Sequence, residues 1–303
     1  MKTYTAAVAR SKGAGAHAAL AQTGLRGAMT ALTMGLSALV LLAAMALPGR
    51  AASREELENF LQITGFDVAL ESIKLSAAGG PQMLGLEGSD FATTWTILTK
   101  DVFDVKTMQD MGIDILEGTI KEEDLKVAQD FYGSDLGKRL VETENTSHMA
   151  ERDDRAENAA AELDRILNEG ETDRIAELDR LNRAVDSSDN SEKAIVEIQF
   201  RFLTAARDAG VIEFKVDDEA LKQSLLTQAE AMRDANKAQA LANSAYTYRD
   251  FTTEELATYA EALEDPGMQR VYDLMNAVQY EIMANRFEAV AARLHGIQPA
   301  QDL

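Results

Sequence analysis

Apolar residues recur at helical spacing almost everywhere after residue 55. Phe91, Trp95, Leu98 and Val102 stand at i, i+4, i+7 and i+11, with Ser89 and Asp90 placed to cap a helix. Val271, Leu274, Met275, Val278, Ile282, Phe287, Val290 and Leu294 stripe one long C-terminal helix. In the middle of the chain, Leu163, Ile166 and Leu167 precede a break at Glu169 and Gly170. Ile175, Leu178, Leu181 and Val185 follow it, which predicts an antiparallel helical hairpin with charged outer faces. Alternation of the strand kind is confined to residues 211–216, too short a run to be more than a link between helices. The Ala-Ala-Gly-Gly-Pro run at 77–81 reads as an interior loop, and residues 187–191 as a linker. The pattern predicts an all-α protein.

The first 52 residues follow a different rule. Lys2, Arg10, Lys12 and Arg26 stand without an acidic neighbour, then residues 31–47 are uncharged and mostly apolar, then Gly49-Arg50-Ala51 offers a small-x-small exit. A positive head, an apolar middle and small residues at the exit describe a secretory signal peptide, with cleavage after Ala51 or Ala52. The rival is an uncleaved anchor in the inner membrane facing the periplasm, for which the run is at the lower limit of roughly 17–25 residues. A periplasmic protein is expected, touching membrane only through this segment if it is not removed.

Composition narrows the rest. With the five basic residues of the leader gone, 25 Lys and Arg face 51 Asp and Glu, a net charge of −26. Such a surface repels nucleic acid, so no nucleic-acid partner is expected. Cysteine is absent, which removes thiolate catalysis, Fe–S clusters and disulfides, and leaves the core alone to hold an exported fold. Beyond residue 52 only His148 and His295 remain, so a three-histidine metal site is excluded. No cofactor and no metal are expected.

One segment occurs twice. At a fixed offset of 131 residues, Ile120 meets Phe251, Glu123 meets Glu254, Leu125 meets Leu256, Arg139 meets Arg270 and Leu140 meets Val271. In the second copy Thr252 and Glu255 make a capping box, Phe251 and Leu256 a hydrophobic staple, and Pro266-Gly267 a corner with Asp265 capping the next helix. The first copy has Lys121 in place of the capping threonine, and Thr119 with Glu122 offers a shifted box. The segment Glu123-Asp124-Leu125, Phe131-Tyr132, Ser134, Gly137, Arg139 and Leu140 resembles the bacterial family catalogued as domain of unknown function 2059. The second copy resembles it through Phe251, Glu254-Glu255-Leu256, Asp265-Pro266-Gly267 and Val271, with Ala262-Leu263 where Phe-Tyr would stand. The resemblance implies a helical, exported bacterial protein and no activity.

The candidate site is this motif, structural or pocket-forming: Glu123, Leu125, Phe131, Tyr132, Ser134, Gly137, Leu140, Glu255, Leu256 and Gly267. Tyr132 is expected to set its hydroxyl at a polar edge. Carboxylates are too many for an acid–base pair to be picked from spacing, and no His-Glu-x-x-His, Gly-x-Ser-x-Gly, Ser-x-x-Lys or Walker motif follows residue 52. The dispersed methionines and Trp95 read as core, His148 as a helix-surface residue, and His295 as a cation at a helix C-terminus. The chain is accordingly divided into a leader (1–52), a first helical module (53–150), an acidic helical hairpin (151–190) and a second module (191–298). The expected role is a non-catalytic exported module that binds another envelope protein. A carboxylate-based envelope hydrolase and a weak cation-binding protein are the alternatives.

Overall fold

The computed structural model describes residues 52–85, 89–150, 152–186, 190–213 and 215–295, so the leader lies outside the described residues. Every regular element among them is helical. Helix α1 (Arg54–Thr64) opens on a capping box between Ser53 and Glu56. Gly65, at φ 75°, turns the chain into α2 (Phe66–Ser76). A side chain there would be strained by the left-handed backbone and would also meet Asn145 Oδ1 at 2.6 Å.

Residues 77–81 are not the loop that their composition predicts. They form a 3-10 turn (Ala77–Gly79) that runs into the short helix α3 (Gly80–Met83). Trp95 of α4 (Ser89–Val102) is the reason. Its indole Nε1 donates to Ala77 O at 2.8 Å, and its ring lies over Gly80 so closely that a Cβ there would fall 2.0 Å from Cζ2. Pro81 sits in the first turn of α3, where it needs no N–H partner.

The chain continues through α5 (Val105–Glu117), α6 (Glu122–Tyr132), α7 (Asp135–Met149), α8 (Arg152–Glu169), α9 (Thr172–Val185), α10 (Ser191–Asp208), α11 (Asp218–Thr247), α12 (Thr253–Leu263) and α13 (Pro266–Arg293). The stripe predicted for the C-terminal helix is seen in α13, but it is wider than one face. Val271, Met275, Val278, Ile282, Phe287 and Val290 are all buried, and so are Ala284 and Ala291 on other sides. A helix apolar on several sides must be enclosed, and α13 packs against α4, α5, α6 and α10. Trp95 in the middle of α4 and Phe103 just past its end reach Phe202 of α10 and Phe287 of α13 through ring contacts of 5.0–6.0 Å. Each such pair contributes about 0.5–1.5 kcal/mol beyond area burial. Residues from Leu57 to Leu294 share one hydrophobic cluster.

Helices α8 and α9 meet at the Gly170 corner (φ 73°), yet each finds its main partner elsewhere. α8 lies along α11, and α9 along α12. The charged faces expected to line a hairpin instead make ion pairs within and between helices, such as Arg180 with Glu264 of the α12–α13 corner.

The two segments related by 131 residues have the same helix starts: α6 and α12 begin at Glu122 and Thr253, and α7 and α13 begin at Asp135 and Pro266. The capping box and staple expected in the second segment are present. Thr252 Oγ1 accepts from Glu255 N at 3.2 Å, Glu255 Oε2 accepts from Thr252 N at 2.9 Å, and Phe251 and Leu256 are both buried. In the first segment the shifted box does not form. Lys121 is the N-cap with no side-chain bond, and Thr119 Oγ1 donates back to Ile115 O. The three acidic residues of the first turn, Glu122, Glu123 and Asp124, complement the exposed N–H groups instead.

Candidate functional site

The corner between α6 and α7 is set by Ser134 and Gly137. Ser134 Oγ accepts from Gly137 N at 3.0 Å and caps α7. At Gly137 a Cβ would lie 2.3 Å from Phe131 O and 2.5 Å from Tyr132 Cα, so only glycine lets α7 start this close to the end of α6. The matching corner between α12 and α13 uses Asp265, whose Oδ1 accepts from Gly267 N at 2.7 Å. Gly267 faces Val127 of α6, where a Cβ would sit 3.2 Å from Cγ2.

The corners bring Phe131 and Tyr132 against α12. Phe131 stacks on Tyr259, with ring planes within 5° and centroids 5.7 Å apart. Tyr132 does not place its hydroxyl at a polar edge: it is 1% exposed. Its hydroxyl joins those of Tyr259 (3.0 Å) and Tyr272, and Tyr259 and Tyr272 are 3.1 Å apart. Tyr259 donates to Glu144 Oε1 at 2.8 Å, and Tyr248 donates to the same oxygen at 2.7 Å. Each hydroxyl has one proton to give, so the donor chain has a direction. Tyr259 gives its one proton to the carboxylate, so in its contacts with Tyr132 and Tyr272 it can only accept. Burial pushes the Glu144 carboxyl upward, opposed by the two tyrosines that donate to it. Burial, with the charge of Glu144 adding to it, holds Tyr248, Tyr259 and Tyr272 above the ordinary phenol range. Closed in this way, the cluster ties α6, α7, α11, α12 and α13 together rather than presenting a reactive group.

Of the other motif residues, Leu125, Leu140 and Leu256 are buried core. Glu123 is exposed, 3.9 Å from Lys121. Glu255 serves its capping box and also receives Arg139 at 2.5 Å, which holds its carboxyl below the usual range. Arg139 lies over the Phe251 ring at 4.8 Å as well. Glu144, Tyr248 and Tyr272 were not singled out by sequence reasoning. Glu144 falls in a polar run, Glu142 to Thr146, with no periodic cue to mark it as an inward position.

Arg174 of α9 is the other buried polar group that organises this region. At 5% exposure it donates to Phe251 O and Tyr248 O, both at 2.7 Å, so a guanidinium fork satisfies the carbonyls between α11 and α12. His295 also serves a carbonyl, with Nδ1 2.9 Å from Ala209 O at the end of α10. The helix end it complements therefore belongs to a neighbour. His148 is exposed on α7, and Trp95 is buried.

Beside the tyrosine cluster an open groove of about 650 Å³ lies between α1 and the α6–α7 corner. Its apolar lining is Ile63, Val141 and Tyr132, and its polar lining includes Gln62, Lys138, Glu142 and Asn145. A second groove, of about 440 Å³, lies between α10 and α13. Its Arg201 is already engaged by Glu281 and Glu288. Among the described residues no three His, Asp or Glu side chains are placed to hold a metal ion, and no helix is long and apolar enough to cross a membrane.

Residues 106–165 match the model of a family described as "Uncharacterized protein conserved in bacteria (DUF2059)". The match runs from α5 into α8 and contains the segment at 120–140 on which the resemblance was read. No curated protein and no solved structure matches the chain. Among the described residues the protein is all-α, and its residues 106–165 are similar to that bacterial family.

Proposed function

We propose that this is an exported, non-catalytic interaction module of the bacterial periplasm, which takes an extended segment of another envelope protein into the groove between α1 and α7. Export is supported by the basic head, the apolar run at 31–47 and the small residues around Ala51. Binding rests on one observation. Gln62, Lys138, Glu142 and Asn145 surround the groove, and their side chains have no partner among the described residues. Elsewhere on this surface, arginines such as Arg54, Arg165 and Arg180 are engaged by carboxylates. Two amide side chains, each with a donor and an acceptor, suit the alternating groups of a peptide backbone. Lys138 and Glu142 offer one charge of each sign, and Ile63 and Val141 an apolar floor. One wall of the groove lies in the matched family segment, where Lys138, Val141, Glu142 and Asn145 stand on α7, and the other is α1, outside it.

A photo-crosslinker placed at Asn145 in cells should yield one reproducible envelope-protein adduct, absent when Lys138→Glu is added and absent from a crosslinker at Asp250. Equal labelling at both positions, or none at Asn145, overturns the binding reading. Native protein isolated from the cytosol with Met1 attached overturns the export reading.

A further inference from the structure

The two grooves are related by the same offset of 131 residues as the helical corners. Glu142, Asn145 and Thr146 of α7 line one, and their counterparts on α13, Asp273, Asn276 and Ala277, line the other. The positions also match in exposure: the first and third of each set face solvent, and the asparagine is half-buried. In the α13 groove the asparagine holds a group of its own chain. Asn276 Nδ2 donates at 2.9 Å to Val185 O, the carbonyl of the last residue of α9. Beyond Val185 the chain leaves helical conformation, with Asp186 at φ −122° and ψ 56°. A helix ends on carbonyls that no intrahelical N–H can reach, and here a side-chain amide from a neighbouring helix serves one of them.

Asn145 has the same place on α7 and no such acceptor. The helix end beside it is that of α1, where a Cβ at Gly65 would meet its Oδ1. Gly65 O already accepts from Val68 N and Ala69 N, both at 3.1 Å, which occupies its two lone pairs. The Asn145 NH2 is left without a partner among the described residues. Lys138 lies seven residues earlier, two turns along the same face of α7. It has no cationic counterpart on α13, where Gln269 stands at its position.

On the reading that this groove binds a partner segment, we infer that the segment enters it where a helix of the partner ends. The last carbonyl of that helix goes to Asn145, as Val185 O goes to Asn276. Lys138 complements the negative pole of the incoming helix. Gln62 offers its NH2 to a second unmatched carbonyl, and Glu142 accepts from an N–H of the chain that leaves the helix. Ile63 and Val141 give an apolar side chain of the last turn its contact.

The labelled full chain is titrated with a peptide of α9 and its exit, residues 172–186. Amidation of the peptide's C-terminus leaves no terminal carboxylate to pair with Lys138. Asp173→Lys joined to Glu177 as a lactam keeps it helical, since a helix this short is marginal in water. The Asn145 side-chain NH2 resonances should shift and saturate. Asn145→Asp, which replaces the donor by a charge that repels carbonyls, should weaken binding at least about tenfold. Lys138→Gln, at an exposed position, should weaken it about twofold to fivefold. A linear peptide with Ala184→Pro, which breaks the last turn, should bind at least about tenfold more weakly than the helical one. Equal binding of the two peptides, or a helical peptide that leaves the Asn145 resonances unmoved, overturns the helix-end inference. Whether the groove binds a partner at all is decided separately, by the envelope-protein adduct of a crosslinker at Asn145.

Discussion

Arg270 holds the carboxylate of Asp124 across 146 residues of chain, with Nε 3.0 and 3.1 Å from its two oxygens. The residues 131 positions away repeat the pairing in reverse. Arg139, the counterpart of Arg270, holds Glu255, the counterpart of Asp124. Contact of i with j′ and of j with i′ is the relation that two copies make across a two-fold axis. Here it joins two helical corners within one polypeptide.

The two pairs are unequal in burial, so their removal should differ. Asp124 keeps 7% side-chain exposure and Glu255 keeps 27%. Arg270→Ala leaves a buried carboxylate unpaired and should cost about 2–3 kcal/mol. Arg139→Ala should cost about 1 kcal/mol or less, since water reaches both partners. Urea unfolding of the two variants measures the contrast, and equal losses would contradict it.

Arg174 cannot be replaced by another cation. Arg174→Lys keeps the charge but offers a point donor to two carbonyls that a fork now serves, and should cost about 2–4 kcal/mol. Because those carbonyls join α11 to α12, amide exchange at residues 248–252 should speed up more than exchange in α5.

Glu144 gives the pH dependence a sign. Its native carboxyl titrates above the ordinary value because it is buried. Between the ordinary and the raised value the native state therefore holds a proton that the unfolded chain has lost. Stability should fall as pH rises through that window and level off above it. Glu144→Gln, which still accepts from Tyr248 and Tyr259, should remove this component. The comparison is made by urea midpoints from pH ~4 to ~8, and identical slopes for parent and variant would refute it.

Gly137 and Gly118 should behave oppositely. A Cβ at Gly137 meets backbone at 2.3 Å, whereas at Gly118 the nearest atom is Ile115 O at 3.9 Å. Gly137→Ala should cost more than about 2 kcal/mol, and Gly118→Ala should stay within about 0.5 kcal/mol of the parent. Thermal unfolding separates them.

The spacing of apolar residues along the chain was enough to place the helices around Trp95, Leu178 and Val278, because a buried stripe at period 3.6 is a local property. The Thr252–Glu255 box and the Asp265 cap were legible for the same reason: each is made by residues within three positions of one another. The 131-residue correspondence was also written in the sequence. Its meaning was not, because nothing local says that Arg139 reaches Glu255 rather than a neighbour on its own helix. Tyrosines at 132, 248, 259 and 272 and a glutamate at 144 converge only once five helices have packed. Residues 77–81 became helical only because the Trp95 indole covers Gly80 and binds Ala77 O. Local chemistry sets where a helix begins and ends; which polar groups meet in the interior depends on long-range packing, where burial rather than spacing decides which groups must be paired.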